Sequence, residues 1–168
     1  MKKRIPNRLN KYDYSQPGYY FVTVCVRNKV NYFGEIKNRQ MVLNEYGAVA
    51  AVYWQKISDY YCSVKLDEWA IMPNHIHGII VLSGTEHCSV PTTKKSVSLS
   101  QIVKSFKDVT VKHIRSEFSD ICFAWQRSFY DHIIRDESSL SRMREYIANN
   151  PAQWDLDIEN TRIVRVKA

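Results

Sequence analysis

The stretch from Val64 to Leu82 constrains this chain most. Val64–Met72 and His75–Leu82 both read as strands, and only Pro73-Asn74 stands between them. Proline cannot donate in the middle of a β-ladder, so one strand must end there and another begin. A further run, Tyr19 to Arg27 (YYFVTVCVR), is rich in β-branched and aromatic residues. Its apolar side chains fall on both faces, which predicts a place inside a sheet rather than at an edge. Phe129 to Arg135 (FYDHIIR) predicts one more strand.

Helical periodicity fills the gaps. Tyr46, Val49, Ala50, Tyr53 and Ile57 recur at helical spacing and predict an amphipathic helix over residues 44–60. Leu99, Ile102, Val103, Phe106, Val109 and Ile114 mark a second helix, ending near Phe118. Ser138 to Asn149 predicts a last helix with Asp136 or Ser138 as N-cap. Pro151 is expected to bar helical geometry at Asn150. Asn31 to Leu43 predicts a small hairpin around Lys37-Asn38-Arg39. Without that hairpin the order is β-α-β-β-α-β followed by one helix. This is the ferredoxin-like α+β arrangement, an antiparallel sheet with two helices on one face. The other face needs a cover, which the last helix can supply. Residues 1–168 are expected to form a single domain. Residues 1–18 form a basic arm, Gly84–Ser98 a polar loop, and residues 155–168 a tail with no assigned structure.

Lys and Arg outnumber Asp and Glu by 24 to 17, a net charge of +7. That balance favours a polyanionic partner, most simply nucleic acid. The start, Met1 to Pro6, has basic residues but no apolar run behind them, unlike a secretory signal. No apolar stretch approaches the roughly 20 residues that span a bilayer. Cys25, Cys62, Cys88 and Cys122 form no C-x-x-C pair, so free thiols in a reducing cytoplasm are expected. Membrane-embedded and disulfide-stapled classes are set aside on these grounds.

His75-Ile76-His77 is the sharpest local signal. Side chains alternate along a strand, so the two imidazoles point the same way, about 7 Å apart along the chain. They can converge on one ion; the alternative is a pair of hydrogen-bonded or surface histidines. A site needs more than two ligands, and Glu68, Asp131, His132 and Asn150 are the further candidates. A third histidine or cysteine would favour zinc, an oxygen ligand Mg²⁺ or Mn²⁺. Tyr146 and Asn150 stand four apart on the last helix and share a face. Spacing alone favours a core tyrosine and a capping asparagine. Lys104, Lys107, Lys112, Arg115, Arg127, Arg135 and the arm's Arg8 are candidates to hold phosphates, and Trp125 to stack on a base.

Several separated segments, in order, resemble one family. Trp69-Ala70-Ile71-Met72-Pro73-Asn74-His75-Ile76-His77-Gly78 is similar to the histidine–hydrophobic–histidine motif of the single-tyrosine HUH transposases. Within that class the chain resembles the REP-associated tyrosine transposases. Residues 17–23 are similar to the family's first strand, residues 125–131 and 134–137 to a later block, and residues 145–151 to its nucleophile helix. The likeness runs from Arg8 to Trp154 and leaves out Gly84–Ser98 and the tail. It implies Tyr146 as nucleophile and His75, His77 and Asn150 as ligands of a divalent metal, Mg²⁺ or Mn²⁺. Related members carry glutamine where Asn150 stands. The implied activity is cleavage and strand transfer of single-stranded DNA through a covalent 5′-phosphotyrosine, with hairpin-forming repeats as substrate. A non-catalytic nucleic-acid-binding module of the same fold, and a metal hydrolase of small phosphoesters, are the alternatives. A monomer and a homodimer with exchanged helices would read identically.

Overall fold

A computed structural model describes residues 12–84 and 97–156 of the chain. Its strands are β1 (Gly18–Cys25), β2 (Gly34–Lys37), β3 (Gln40–Leu43), β4 (Val64–Met72), β5 (His75–Leu82) and β6 (Tyr130–Ile134). Its helices are α1 (Glu45–Gln55), α2 (Ile57–Tyr60), α3 (Leu99–Phe118) and α4 (Glu137–Asn149). The main sheet has the order β4-β5-β1-β6, and every neighbouring pair is antiparallel. With α1 and α3 as the two connecting helices, this is the ferredoxin-like topology. β1 lies inside the sheet, as its two apolar faces required.

The two faces of the sheet carry different cores. Tyr20, Val22, Val24, Ile76 and Ile80 pack with Ala50 and Trp54 of α1 and with Ile102, Val103 and Phe106 of α3. On the opposite face Phe21, Ile79 and Ile134 pack with Leu140 and Ile147 of α4. Thus α4 covers the face that carries the histidines. β2 and β3 form the separate hairpin, turning through Asn38 and Arg39 with φ of 50° and 61°. At its base Gly34 has φ 130°, and a Cβ there would lie 2.1 Å from the Val42 carbonyl oxygen. Only glycine fits that position.

Local chemistry sets the ends of the helices. The Asn44 side chain accepts from the Gly47 N–H and caps α1, which ends at Gln55; α2 follows Lys56, so the expected single helix is two. Ser98 and Gln101 close a reciprocal capping box at the start of α3. The Asp136 side chain accepts from the Ser139 N–H and caps α4. The expectation that Pro151 excludes helical geometry at Asn150 is wrong: Asn150 has φ −57° and ψ −43°. Proline only disfavours that region for its predecessor. Here the chain tightens into a 3-10 turn over Pro151–Leu156, where the first position needs no N–H and the turn buries Trp154.

β1 stops at Cys25, two residues short of the expected end. Val26 makes an isolated bridge to Trp125, and residues 27–29 form a 3-10 turn. Cys25 and Cys122 make no disulfide, but Cys62 is disulfide-bonded, which corrects the expectation for that residue. Pairing between distant cysteines leaves no trace in local spacing. Residues 1–11, most of the 84–98 loop, and residues 157–168 lie outside the described residues. Among the described residues no helix is long and apolar enough to cross a membrane.

Candidate active site

The register of the sheet builds the site. On β5, His75 pairs with Cys25 of β1 and Met72 of β4, while His77 pairs with Thr23 and Ala70. Both imidazoles point to the α4 face, and Ile76 and Gly78 face α1. His75 and His77 are buried, at 0% and 3% exposure. Their Nε2 atoms lie 2.9 Å apart. Burial, helped by the nearby Lys29 charge, pushes His75 down to about 3, so it is neutral at pH 7.

Each ring is held at its other nitrogen. Asn74 Oδ1 accepts from His75 Nδ1 at 2.8 Å. The Asn74 amide nitrogen donates to the Lys29 carbonyl at 3.1 Å, which fixes the orientation of the carboxamide. Thr23 Oγ1 lies 2.9 Å from His77 Nδ1. Phe21 stacks on His77 with centroids 5.4 Å apart, and Trp154 lies over His75 at 6.0 Å. These four neighbours, Thr23, Phe21, Asn74 and Trp154, were not among the residues singled out from sequence. Thr23 became visible only through the β1–β5 register.

α4 brings Tyr146 to the pair. Its hydroxyl lies 3.4 Å from His77 Nε2, and its ring meets His77 edge-on with centroids 5.3 Å apart. Tyr146 is 40% exposed, so part of its side chain meets solvent. Arg144, two residues earlier, donates to both carboxylate oxygens of Asp67 on β4, at 2.9 and 2.7 Å. That pair ties α4 across the sheet. Asn150 follows Tyr146 by one turn and precedes Trp154 by another; those flanking residues touch His77 and His75 respectively. Asn150 is 3% exposed, and its Oδ1 is buried without a hydrogen-bond partner.

These residues fit a divalent cation. Two nitrogens each about 2.1 Å from an octahedral ion, at right angles, lie about 3 Å apart. The observed Nε2 separation matches that spacing. A buried carbonyl oxygen without a partner costs about 1–3 kcal/mol, which a cation would offset. No group of three His, Cys, Asp or Glu gathers among the described residues, so an ion held by the histidine pair there would need a donor of another type. Glu68 and His132 are exposed. Asp131 is buried but pairs with Val22, whose side chain belongs to the α1–α3 face.

The basic candidates are spread over the molecule. Lys104 is exposed on α3, paired with Asp108 at 2.6 Å. Lys107 donates to the Gln126 and Ser128 carbonyls, both at 3.0 Å, and so braces the segment before β6. Both lysines lie on the layer away from the histidines. Arg127 and Arg135 are exposed. Arg127 follows Gln126, whose N–H donates to the Cys25 carbonyl, at the same end of the sheet as His75. Arg8 lies outside the described residues.

The chain matches the family model of IS200-like transposases over residues 14–150. It is 40% identical over 161 residues to an uncharacterized protein of Haemophilus influenzae, covering 89% of each chain. Its fold matches a REP-associated tyrosine transposase solved with a REP hairpin, with a TM-score of 0.59, 19% identity, and coverage of 88% of this chain and 73% of that one. It also matches a protein of Deinococcus radiodurans described as a candidate transposase, with a TM-score of 0.52, 14% identity, and coverage of 84% and 95%. The family model spans both histidines, Tyr146 and Asn150, and the chain therefore belongs to the IS200-like transposases.

Proposed function

We propose that the chain cuts and rejoins single-stranded DNA, with Tyr146 as nucleophile and a divalent cation, Mg²⁺ or Mn²⁺, held by His75, His77 and Asn150. One observation carries this reading: the Tyr146 hydroxyl lies 3.4 Å from His77 Nε2, at a buried histidine pair whose Nε2 atoms converge. When bound, the cation offsets charge on the scissile phosphate. The protein supplies the rest. β5 and its neighbours keep His75 neutral and both imidazoles aimed, and α4 sets the phenol against them. A free tyrosine has a pKa near 10, so only about one part in a thousand is phenolate at pH 7. The partial exposure of Tyr146 gives its proton a path to water.

The reaction conserves a phosphodiester. Tyr146 Oη forms a bond to phosphorus while the bond to the 3′ oxygen breaks. The 3′ oxygen leaves as a hydroxyl, and the 5′ phosphate stays on the tyrosine. A second 3′-OH can reverse the step and join new ends without ATP. One tyrosine per site suits one cut at a time on a single strand. Hairpin-forming repeat DNA is the proposed substrate, by likeness to the relative solved with a REP hairpin. A cleft of about 660 Å³ is lined in part by Asn31, Glu35, Arg39, Pro73, Trp154 and Asp155, and Trp154 separates it from His75. It has room and polar groups for an unpaired flank, and Arg8, Lys104, Lys107, Arg127 and Arg135 are proposed phosphate contacts. Since Lys107 already holds two carbonyls, Arg127 is expected to contribute more.

The test is a covalent-trapping gel. Labelled single-stranded hairpin DNA is incubated with protein and Mg²⁺ or Mn²⁺ and run under denaturing conditions. A protein-linked band is expected that needs the metal and is absent in Tyr146→Phe and His75→Ala. Tight binding of varied hairpins with no such band would sink the enzymatic reading in favour of a binding module.

A further inference from the structure

The two histidines differ in what holds their outer nitrogens. Asn74 is fully buried and pinned on several sides. Its side-chain amide nitrogen donates to the Lys29 carbonyl at 3.1 Å, and its backbone carbonyl accepts from the Val26 N–H at 2.8 Å. The preceding residue is held too, since the Pro73 carbonyl accepts from the Phe33 N–H at 3.0 Å. The carboxamide therefore cannot turn over, and the atom it offers His75 is an oxygen, which only accepts. His75 Nδ1 must carry the proton, and its Nε2 must be a lone pair. Thr23 is different. A hydroxyl donates or accepts as required, so the 2.9 Å contact with His77 Nδ1 suits either tautomer.

The two Nε2 atoms lie 2.9 Å apart, close enough for one to donate to the other. Without a cation, two facing lone pairs would repel, so His77 must point an Nε2–H at His75; a neutral His77 then accepts at Nδ1 from the Thr23 hydroxyl. With a cation between them, both Nε2 atoms must be lone pairs, and His77 must carry its proton on Nδ1 and donate to Thr23. No net proton is gained or lost; one leaves Nε2 to water and one arrives at Nδ1.

We propose that Asn74 and Thr23 are positioning residues with distinct roles: Asn74 locks His75 permanently in the metal-ready tautomer, while Thr23 lets His77 switch tautomer as the cation enters. The inference rests on the reading of His75 and His77 as ligands. It also explains why the Pro73-Asn74 break and the strand opposite His77 matter to the chemistry without touching substrate.

Two measurements on the full chain test it. Long-range ¹H–¹⁵N spectra report which imidazole nitrogen carries the proton. In metal-free protein they should show His75 as Nδ1–H and His77 as Nε2–H, and added Mg²⁺ should convert His77 alone. Mn²⁺ titration then compares variants. Thr23→Val, isosteric and at home in a strand, should weaken Mn²⁺ binding about 10–100-fold, as loss of a ligand's outer partner does. Thr23→Ser should restore it. Wild-type protein that takes up no Mn²⁺ would overturn the metal reading itself. Wild-type protein that binds Mn²⁺ equally well with Thr23→Val, or shows His75 as Nε2–H, would overturn this inference alone.

Discussion

Gly78 follows the histidine pair on β5, and its missing side chain is replaced by an indole. A Cβ at this position would lie 2.4 Å from Trp54 Cζ2 and 3.1 Å from Cε2. Trp54 is fully buried and meets Phe106 edge-on with centroids 5.1 Å apart, so the ring cannot simply swing away. Gly78→Ala must displace α1 or bend β5 directly after His77. Overpacking of this kind costs about 1–3 kcal/mol. At about 2–4 °C per kcal/mol for a chain of this size, the melting temperature should fall by about 2–12 °C. Thermal unfolding of metal-free protein by circular dichroism measures this without any assumption about activity. An unchanged midpoint would show that the Trp54 layer yields freely, and would refute the claim that tight packing beneath β5 holds the histidines rigid.

Arg144→Met should remove about 1 kcal/mol, because the Arg144 and Asp67 side chains are 40% and 18% exposed. Arg144 holds the Asp67 carboxyl below its ordinary 3.8, so the pair's contribution is present above that pH and fades as pH falls through the lowered value. The melting deficit of Arg144→Met should shrink in acid, and a deficit that grew there would contradict the assignment. Asn150→Ala should leave the metal-free melting temperature equal or slightly raised, since the lost oxygen has no hydrogen-bond partner. The same variant should lose the upward shift that Mn²⁺ gives the wild type; a retained shift would remove Asn150 from the ligand set. Asp136→Ala deletes the cap of α4 and should destabilise by about 0.5–2 kcal/mol. Hydrogen exchange should localise that loss to α4, and uniform loss across the sheet would argue against it.

The strands and helices were legible because each carries its own periodicity, and Asp136 marks the start of α4 as a cap. That His75 and His77 share a face follows from strand geometry alone. What stayed hidden depends on contacts between distant segments. Thr23 is an ordinary strand threonine until register sets it beside His77, and Asn74 looks like a turn residue until its amide meets Lys29. Lys107 reads as a phosphate contact, yet it reaches the carbonyls of residues 126 and 128. Asn150 was expected outside helical geometry because the local proline rule ignores what burying Trp154 returns. In each case a local rule met a tertiary constraint that no single segment contains.

Covalent attachment of Tyr146 to DNA is testable at residue level by mass spectrometry of proteolysed protein after incubation with single-stranded hairpin DNA and Mn²⁺. A nucleotide-bearing peptide whose modified residue is Tyr146, absent when the metal is withheld, is expected. A nucleotide adduct on another residue, or one that persists in Tyr146→Phe, would contradict it.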